Sequence, residues 1–328
     1  MIIEVEAPSN IAFLKYWGKS DAELQWPAGD SLSMTLKNAK TTTRISDAPQ
    51  DRIFYNERLT QDLKISSALQ FLRKETGYVH PLQIDTSNSF PSSCGIASSA
   101  SGMAALTIAF LAKATESRSF DELELHGYSK SRLSHLARRC SGSAGRSLYG
   151  GYVEWLKGND PSSQKINPLF TETPWHLHDL ILIVSQEKKS TSSSKAHQSA
   201  ASSPLFSTRL AALPERLNAI KEAIRSQNIN LLGPILESEA LEMHAIIMTA
   251  TPPVQYLLPT STALLSWIRE QRYKGRFKAW FTIDAGPNIH LICERDEVSK
   301  VHSALQLDHP RLSVMRDELG SGPSIKSW

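Results

Sequence analysis

Three observations predict an α+β fold in two parts. Segments that alternate polar and apolar residues are interleaved along the whole chain with segments of helical period. The 328 residues, 41% of them hydrophobic, exceed the usual size of one domain and can supply two cores. Regular patterning lapses once, near residue 180, which divides the chain into 1–180 and 181–328.

Taken in order, Ile2 to Glu6 alternates like a strand, and Ala7-Pro8-Ser9-Asn10 is expected to break it. Ile11 to Asp21 is an apolar run holding Lys15, Tyr16, Trp17 and Lys19. Trp26-Pro27-Ala28-Gly29-Asp30 reads as a turn, and Ser31 to Leu36, Thr41 to Ile45 and Arg52 to Tyr55 read as strands. Between Asp62 and Thr76 the apolar residues Ile65, Leu69 and Leu72 fall at helical spacing, and Gly77 closes the pattern. Leu82 to Thr86 is strand-like and Met103 to Ala114 suits a buried helix. Phe120 to His126 leads into a helix with Leu133, Leu136, Ala137 and Cys140 on one face. Tyr152 to Trp155 is a strand, as is Leu180 to Val184. Ser185 to Ser203 is polar and serine-rich, the composition of a loop or lid. Beyond it, Leu213, Leu217, Ile220 and Ile224 mark one helix face. Leu236, Ala240, Met243, Ile247 and Ala250 mark another, stopped by Thr251-Pro252-Pro253. Thr262 to Gln271 reads as a third helix. Ala279 to Ile283 and Ile289 to Cys293 are strands around a tight loop, Asp296 to Leu305 a helix, and Leu312 to Arg316 a closing strand.

Composition removes several classes of function. Thirty-six basic against 33 acidic residues is far from the basic blocks of a nucleic-acid binder. Three widely spaced cysteines, Cys94, Cys140 and Cys293, exclude a disulfide framework or a four-cysteine zinc site and suit a reducing, cytoplasmic setting. The first residues lack the basic start and apolar core of a signal peptide, and no stretch approaches the roughly 20 apolar residues of a membrane span, so no membrane partner is expected. His176-x-His178-Asp179 has no recognised zinc spacing and no second ligand cluster, and reads as ordinary polar residues at a surface or a strand end.

The chemistry concentrates in four places. Asn88 to Gly102 couples a turn, small residues and a helix start. The first turn of a helix has unpaired N–H groups and a partial positive charge, and small side chains let an anion approach, so the loop reads as a phosphate cradle. A loop that only caps a core helix uses the same residue types. No Gly-Lys-Ser/Thr follows and no G-x-G-x-x-G is present, which excludes the Walker A and dinucleotide patterns. Lys15 and Lys19, four apart, share a face in a helix or a strand and read either as a twin cation or as two solvated lysines. Arg146, set in the Ser141 to Gly151 loop, can fork onto a carboxylate or phosphate, or lie idle on a flexible loop. Asp284 ends an apolar strand beside glycine, as a rigid carboxylate or simply as turn chemistry.

Ser9-Asn10-Ile11-Ala12 with Lys15-Tyr16-Trp17-Gly18-Lys19, Ser141-Gly142-Ser143-Ala144 with Arg146-Ser147-Leu148-Tyr149-Gly150-Gly151, and Asp284-Ala285-Gly286-Pro287-Asn288 occur in the order found in mevalonate diphosphate decarboxylases. With Pro91-x-x-x-Gly95-Ile96-Ala97-Ser98-Ser99, the less specific phosphate loop of the GHMP kinase superfamily, the chain resembles that family over most of its length. The resemblance implies a GHMP kinase-like fold, with a ribosomal protein S5 domain 2-like N-terminal part and a ferredoxin-like C-terminal part. It implies ATP-dependent decarboxylation of mevalonate 5-diphosphate to isopentenyl diphosphate through phosphorylation of the 3-hydroxyl. ATP and Mg2+ are the implied cofactors, a homodimer the implied assembly. By the same resemblance Asp284, Arg146 and Lys15 are catalytic. Asn10, Tyr16, Lys19, Ser141, Ser143, Arg146 and Ser192 bind substrate, and Ser93, Gly95, Ile96, Ala97, Ser98 and Ser99 bind ATP. No protein ligand to the metal is implied. The chain departs from the family at Gly29, where many relatives have asparagine. It departs again at Thr191-Ser192-Ser193-Ser194-Lys195-Ala196, where Ser-Ser-Arg-x-Gly-Met is common, leaving Lys195 as a candidate replacement cation. A phosphomevalonate decarboxylase, a mevalonate 3-kinase and a non-catalytic ATP-binding protein stay open as alternatives.

Overall fold

A computed structural model describes residues 1–91, 98–172, 174–187 and 189–328. The first strand, β1 (Ile3–Leu14), is twelve residues long and buried over most of its length. Ala7-Pro8-Ser9-Asn10 does not break it as expected: the register against its neighbour shifts between Pro8 and Asn10, so a bulge absorbs the proline. A small hairpin, β2 (Lys19–Asp21) and β3 (Trp26–Pro27), leads to β4 (Ser31–Asp47), which lies antiparallel to β1. The two strands expected at Ser31 to Leu36 and Thr41 to Ile45 are thus one. Its irregular middle is held from outside, because the Asp317 carboxylate accepts the backbone N–H groups of Lys37, Asn38 and Ala39 at 2.8, 2.9 and 2.8 Å.

β5 (Arg52–Tyr55) and β6 (Arg58–Leu59) precede α1 (Leu63–Thr76). Asp62 caps α1 by accepting from Lys64 N and Ile65 N, and Gly77, at φ 73°, closes it in the left-handed conformation. Then follow β7 (Leu82–Asn88), α2 (Ser98–Ala114), α3 (Phe120–Leu125), α4 (Lys130–Cys140), a 3-10 helix at Gly142–Leu148, β8 (Tyr152–Leu156) and β9 (Lys165–Leu169). The chain continues with β10 (His178–Ile183), α5 (Ser193–Ser199), α6 (Phe206–Arg225), α7 (Ile229–Thr249), α8 (Pro259–Tyr273), β11 (Ala279–Thr282), β12 (Ile289–Cys293), α9 (Val298–Asp308), β13 (Ser313–Glu318) and β14 (Ser324–Ser327). The stretch expected as a loop or lid therefore holds a short helix. The Ser192 hydroxyl caps it, and Ala196 and His197 turn inward.

β14, β1, β4, β7, β5 and β6 lie side by side in the first sheet, where β8 also pairs with β4 and carries β9. β5 and β7 run parallel, and its other pairings are antiparallel. The second sheet, β11-β12-β10-β13, is antiparallel throughout. α2 packs on β1 and β4 with α1 and α4 beside it, which is why it is apolar on nearly every side. α7 and α8 pack on β11 and α9 on β10. One apolar cluster crosses between the sheets, joining Ile11, Phe13 and Leu32 to Leu217, Leu236, Ile181 and Trp280. This seam brings the end of β1 against α6, α7 and the loop after β11.

Candidate active site

The end of β1 positions Lys15. Its Nζ donates to Asp284 Oδ1 at 2.7 Å and to Ala12 O at 2.7 Å, with the lysine side chain 1% and the aspartate 21% exposed. Lys15 is also held by its main chain: its N–H donates to Glu239 Oε2 at 3.1 Å, and its carbonyl accepts from Arg209 Nη2 at 3.1 Å. Arg209 and Glu239 pair at 2.8 Å and are almost fully buried. Arg216 and Glu242 complete that group of charges.

Asp284 follows β11 in a loop fixed from three sides. His244 Nε2 lies 3.2 Å from the Asp284 carbonyl, Asn288 Oδ1 accepts from Val184 N and Ser185 N at 2.7 and 3.0 Å, and Ser261 Oγ donates to Pro287 O at 2.7 Å. Burial pushes the Asp284 carboxyl up. The charge and hydrogen bond of Lys15 outweigh it, with help from His290 and Arg146, and hold the group below the usual carboxylate range. Burial likewise pulls the Lys15 ammonium down, resisted by Asp284. Arg146 is buried in the 3-10 helix with Nη1 donating to Ser31 Oγ at 2.8 Å, while Nε has no partner among the described residues. Burial brings its pKa to about 10, so it stays a cation at neutral pH.

Lys15, Arg146 and Asp284 line one cavity of about 460 Å3, together with Tyr16, Ser98, Ser99, Ser143 and Ser192. A second, of about 410 Å3, shares Tyr16, Ser99 and Ser143 with the first and adds Lys19, Ser141 and Arg139. A third, of about 430 Å3, opens from Ser98 and Ser99 toward Ile65, Ile84, Leu106, Thr41 and Thr43. The buried Tyr16 hydroxyl has no partner among the described residues, and a Cβ at Gly142 would lie 2.6 Å from it. Only a glycine leaves the phenol its place. Among the described residues no helix is long and apolar enough to cross a membrane.

Other expectations fare differently. Asn10 lies beside these cavities without lining them; it is 2% exposed and its Nδ2 donates to Ser147 Oγ at 2.9 Å, bracing the Arg146 segment. Lys15 and Lys19 do not share a face, because the chain turns at Gly18 (φ 83°) between β1 and β2 and sends Lys19 to the second cavity. The cation beside Lys19 is Lys64: burial, then Lys64, lowers the Lys19 pKa. Lys195 is exposed and lines none of the three cavities, since on α5 it is Ser193 and His197, one turn apart, that face inward. Ser93, Gly95, Ile96 and Ala97 lie outside the described residues.

Lys64 and Arg139 are absent from the motif reading. Lys64 borders all three cavities. It sits in the first turn of α1, where a cation opposes the helix dipole, and that local misfit is a signal the sequence offers. Arg139 is in the last turn of α4, where a cation is at home, so nothing marks it. Among the described residues one group could hold a metal ion, His176, His178 and Glu318. Glu318 already binds Lys37 at 2.5 Å, and the buried Nε2 of His178 has no acceptor for the proton that metal binding through Nδ1 would leave there. Lys37 and Glu318 form an ion pair there, with His176 Nε2 3.0 Å and His178 Nδ1 3.5 Å from the same carboxylate.

Residues 7–166 match the family described as diphosphomevalonate decarboxylase-like N-terminal domain, and residues 179–323 match the mevalonate 5-diphosphate decarboxylase C-terminal domain. Diphosphomevalonate decarboxylase from Bos taurus is 34% identical over 340 residues, covering 94% of this chain and 81% of the bovine protein. A solved structure described as MDDEF in complex with MVAPP, AMPPCP and magnesium superposes with a TM-score of 0.90 at 29% identity, covering 100% of this chain and 99% of the other. Mevalonate diphosphate decarboxylase from Staphylococcus aureus superposes with a TM-score of 0.88 at 30% identity and the same coverage. The four motifs, the two-sheet fold and these likenesses agree: the chain belongs to the diphosphomevalonate decarboxylase family.

Proposed function

We propose that the protein converts mevalonate 5-diphosphate and ATP to isopentenyl diphosphate, ADP, phosphate and CO2, with Asp284, Lys15 and Arg146 as its catalytic residues. The observation that carries this reading is the meeting of those three groups in one cavity with the start of α2. The relative whose structure is described with MVAPP, AMPPCP and magnesium supports the choice of substrate and nucleotide.

A tertiary alcohol leaves poorly, and phosphorylating it makes a good leaving group. Asp284, ionised at neutral pH, accepts the hydrogen bond of the 3-hydroxyl and orients its oxygen for attack on the terminal phosphorus of ATP. As the new P–O bond forms the hydroxyl becomes more acidic, and its proton passes to the carboxylate. Lys15 offsets negative charge on the transferring group at short range, in a setting with little water. Arg146 forks onto the substrate carboxylate and holds its C–C bond in line with the C–O bond that breaks. The C–C pair becomes the alkene, CO2 departs, and phosphate carries away the C–O pair, so neither pyridoxal nor thiamin is needed.

Tyr16, Lys19, Ser141 and Ser143 face the second cavity or its border and suit the diphosphate, with Lys64 and Arg139 as further cations. Ser192 caps α5 and borders the first cavity. Ser98 and Ser99, at the start of α2 and bordering the third cavity, suit the ATP phosphates, with Ile65, Ile84 and Leu106 as apolar walls for the base. The oxygen donors here, Asp284 and the hydroxyls of Ser98 and Ser99, fit a hard cation that is bound mainly by phosphates. Magnesium, when bound there, supplies charge neutralisation between the phosphates. The domain division near residue 180 belongs to this reading, supported by the family matches ending at 166 and resuming at 179. So do a homodimer, a cytoplasmic location and the absence of nucleic-acid and membrane partners. The test is to incubate the protein with ATP, magnesium and mevalonate 5-diphosphate or its monophosphate while following ADP and CO2. Equimolar ADP and CO2 from the diphosphate is the expected result. ADP without CO2, or turnover of the monophosphate alone, overturns it.

A further inference from the structure

His197 borders both the first and the second cavity, and nothing in the reaction described above uses it. Its ring lies between those of Tyr16 and Trp17, with centroids 4.5 and 4.2 Å away. The Gly18 N–H donates to Nδ1 at 3.0 Å, so that nitrogen carries a lone pair and the single proton of the neutral ring sits on Nε2. The neutral form prevails because burial, reinforced by Lys19, drives the imidazolium pKa down to about 3. Three contacts thus fix the plane and the tautomer of the ring. Among the described residues Nε2 has no protein partner. The two cavities that the ring borders also carry Lys19, Ser143 and Ser193, groups suited to an anion, with the Asp284 carboxylate on the first, where Lys15 pairs it.

We infer that His197 is a substrate-binding residue whose Nε2–H donates to an anionic oxygen of the phosphorylated substrate where the two cavities join. The inference rests on the reaction proposed above. α5 presents a serine where the family often has arginine, and His197, one turn from Ser193, supplies a neutral donor from the same helix. It adds direction without adding charge: its proton can point only where the Gly18 contact leaves it.

Three substitutions separate this role from packing. His197→Asn keeps an acceptor for Gly18 but cannot reach the cavity. His197→Gln reaches with an amide N–H. His197→Phe keeps a ring between Tyr16 and Trp17 without either nitrogen. The readout is calorimetric Kd for mevalonate 5-diphosphate, with thermal stability and turnover measured on the same preparations. Kd rises about 10-fold in the Asn and Phe proteins, as expected for losing one hydrogen bond to a charged oxygen, and the Gln protein recovers most of the loss. Kd for ATP stays within about twofold, since no nucleotide contact is removed. Equal Kd in all three variants of an enzyme that turns over overturns the inference alone, as does a loss that follows thermal stability without rescue by Gln. Wild-type binding without CO2 release strikes the proposed reaction but leaves the donor testable by the same Kd series. A wild type that neither binds nor turns over overturns both.

Discussion

Two groups of buried charge meet at Lys15 and have opposite designs. On the α6–α7 side, Arg209 and Arg216 face Glu239 and Glu242, two cations against two anions that satisfy one another and bind the main chain of Lys15. On the cavity side, among the described residues, Lys15 has Asp284 as its one ion-pair partner and Arg146 an Nε with no partner, while Lys19, Lys64 and Arg139 border the space beyond. The first group is closed and electrically balanced. The second is open and carries an excess of positive charge, which is where an anionic substrate adds rather than competes. Burial is shared by both, so burial does not separate structure from function here; unsatisfied valence does.

Substitutions can break each half of this contrast. The largest effect is expected from Asp284→Asn, which keeps the shape of the open pair but removes its proton acceptor. Steady-state release of ADP and CO2 should fall about 10²- to 10⁴-fold, and the thermal midpoint should drop as well, because the buried Lys15 ammonium keeps a neutral acceptor but loses its counter-charge. In the closed group, Glu239→Ala leaves the guanidinium groups of Arg209 and Arg216 to share the one carboxylate of Glu242, and should cost about 3–5 kcal/mol of stability in urea unfolding. Glu239→Gln, retaining an acceptor, should cost less.

Acid dependence sharpens the contrast. Because Lys15 holds the Asp284 carboxyl below the ordinary value, the stabilisation from this pair is present above the unfolded carboxylate pKa and is lost as pH falls through the lower folded value. Wild-type kcat/KM should therefore show no carboxylate limb between pH 5 and 8, taking an ordinary Asp pKa of about 3.9. In Lys15→Met the burial effect is opposed more weakly, by His290 and Arg146 without the lysine, and the acid limb should move up toward that range. The smallest effect belongs to Gly142→Ala, whose methyl displaces the Tyr16 phenol. KM for the phosphorylated substrate should rise severalfold while KM for ATP holds. An unchanged KM would place Tyr16 outside the binding surface.

Much of the fold was legible because buried strands and helices advertise their period. The apolar faces of α6 and α7 and the pair of strands around Asp284 fall where spacing predicts them. Pro8 misled because a bulge can absorb a proline that spacing reads as a stop. β14 escaped notice because a short, polar edge strand has little periodic signal, and its pairing with β1 depends on contacts more than 300 residues apart in sequence. At the site, Asp284, Arg146 and Lys15 stood out because charged or rigid residues interrupt apolar or small-residue runs. The pairing of Lys15 with Lys19 failed because a left-handed glycine between them changes the direction of the chain. His197 and Arg139 obey every local rule, and only folding brings them to the cavity.

A double-mutant cycle on Lys15 and Asp284, read as kcat/KM for ATP-dependent CO2 release, tests most directly whether the open pair acts as one unit. If it does, Lys15→Met combined with Asp284→Asn loses little more than Asp284→Asn alone. If the two losses instead multiply, the groups act independently, and the shared site described for them is wrong.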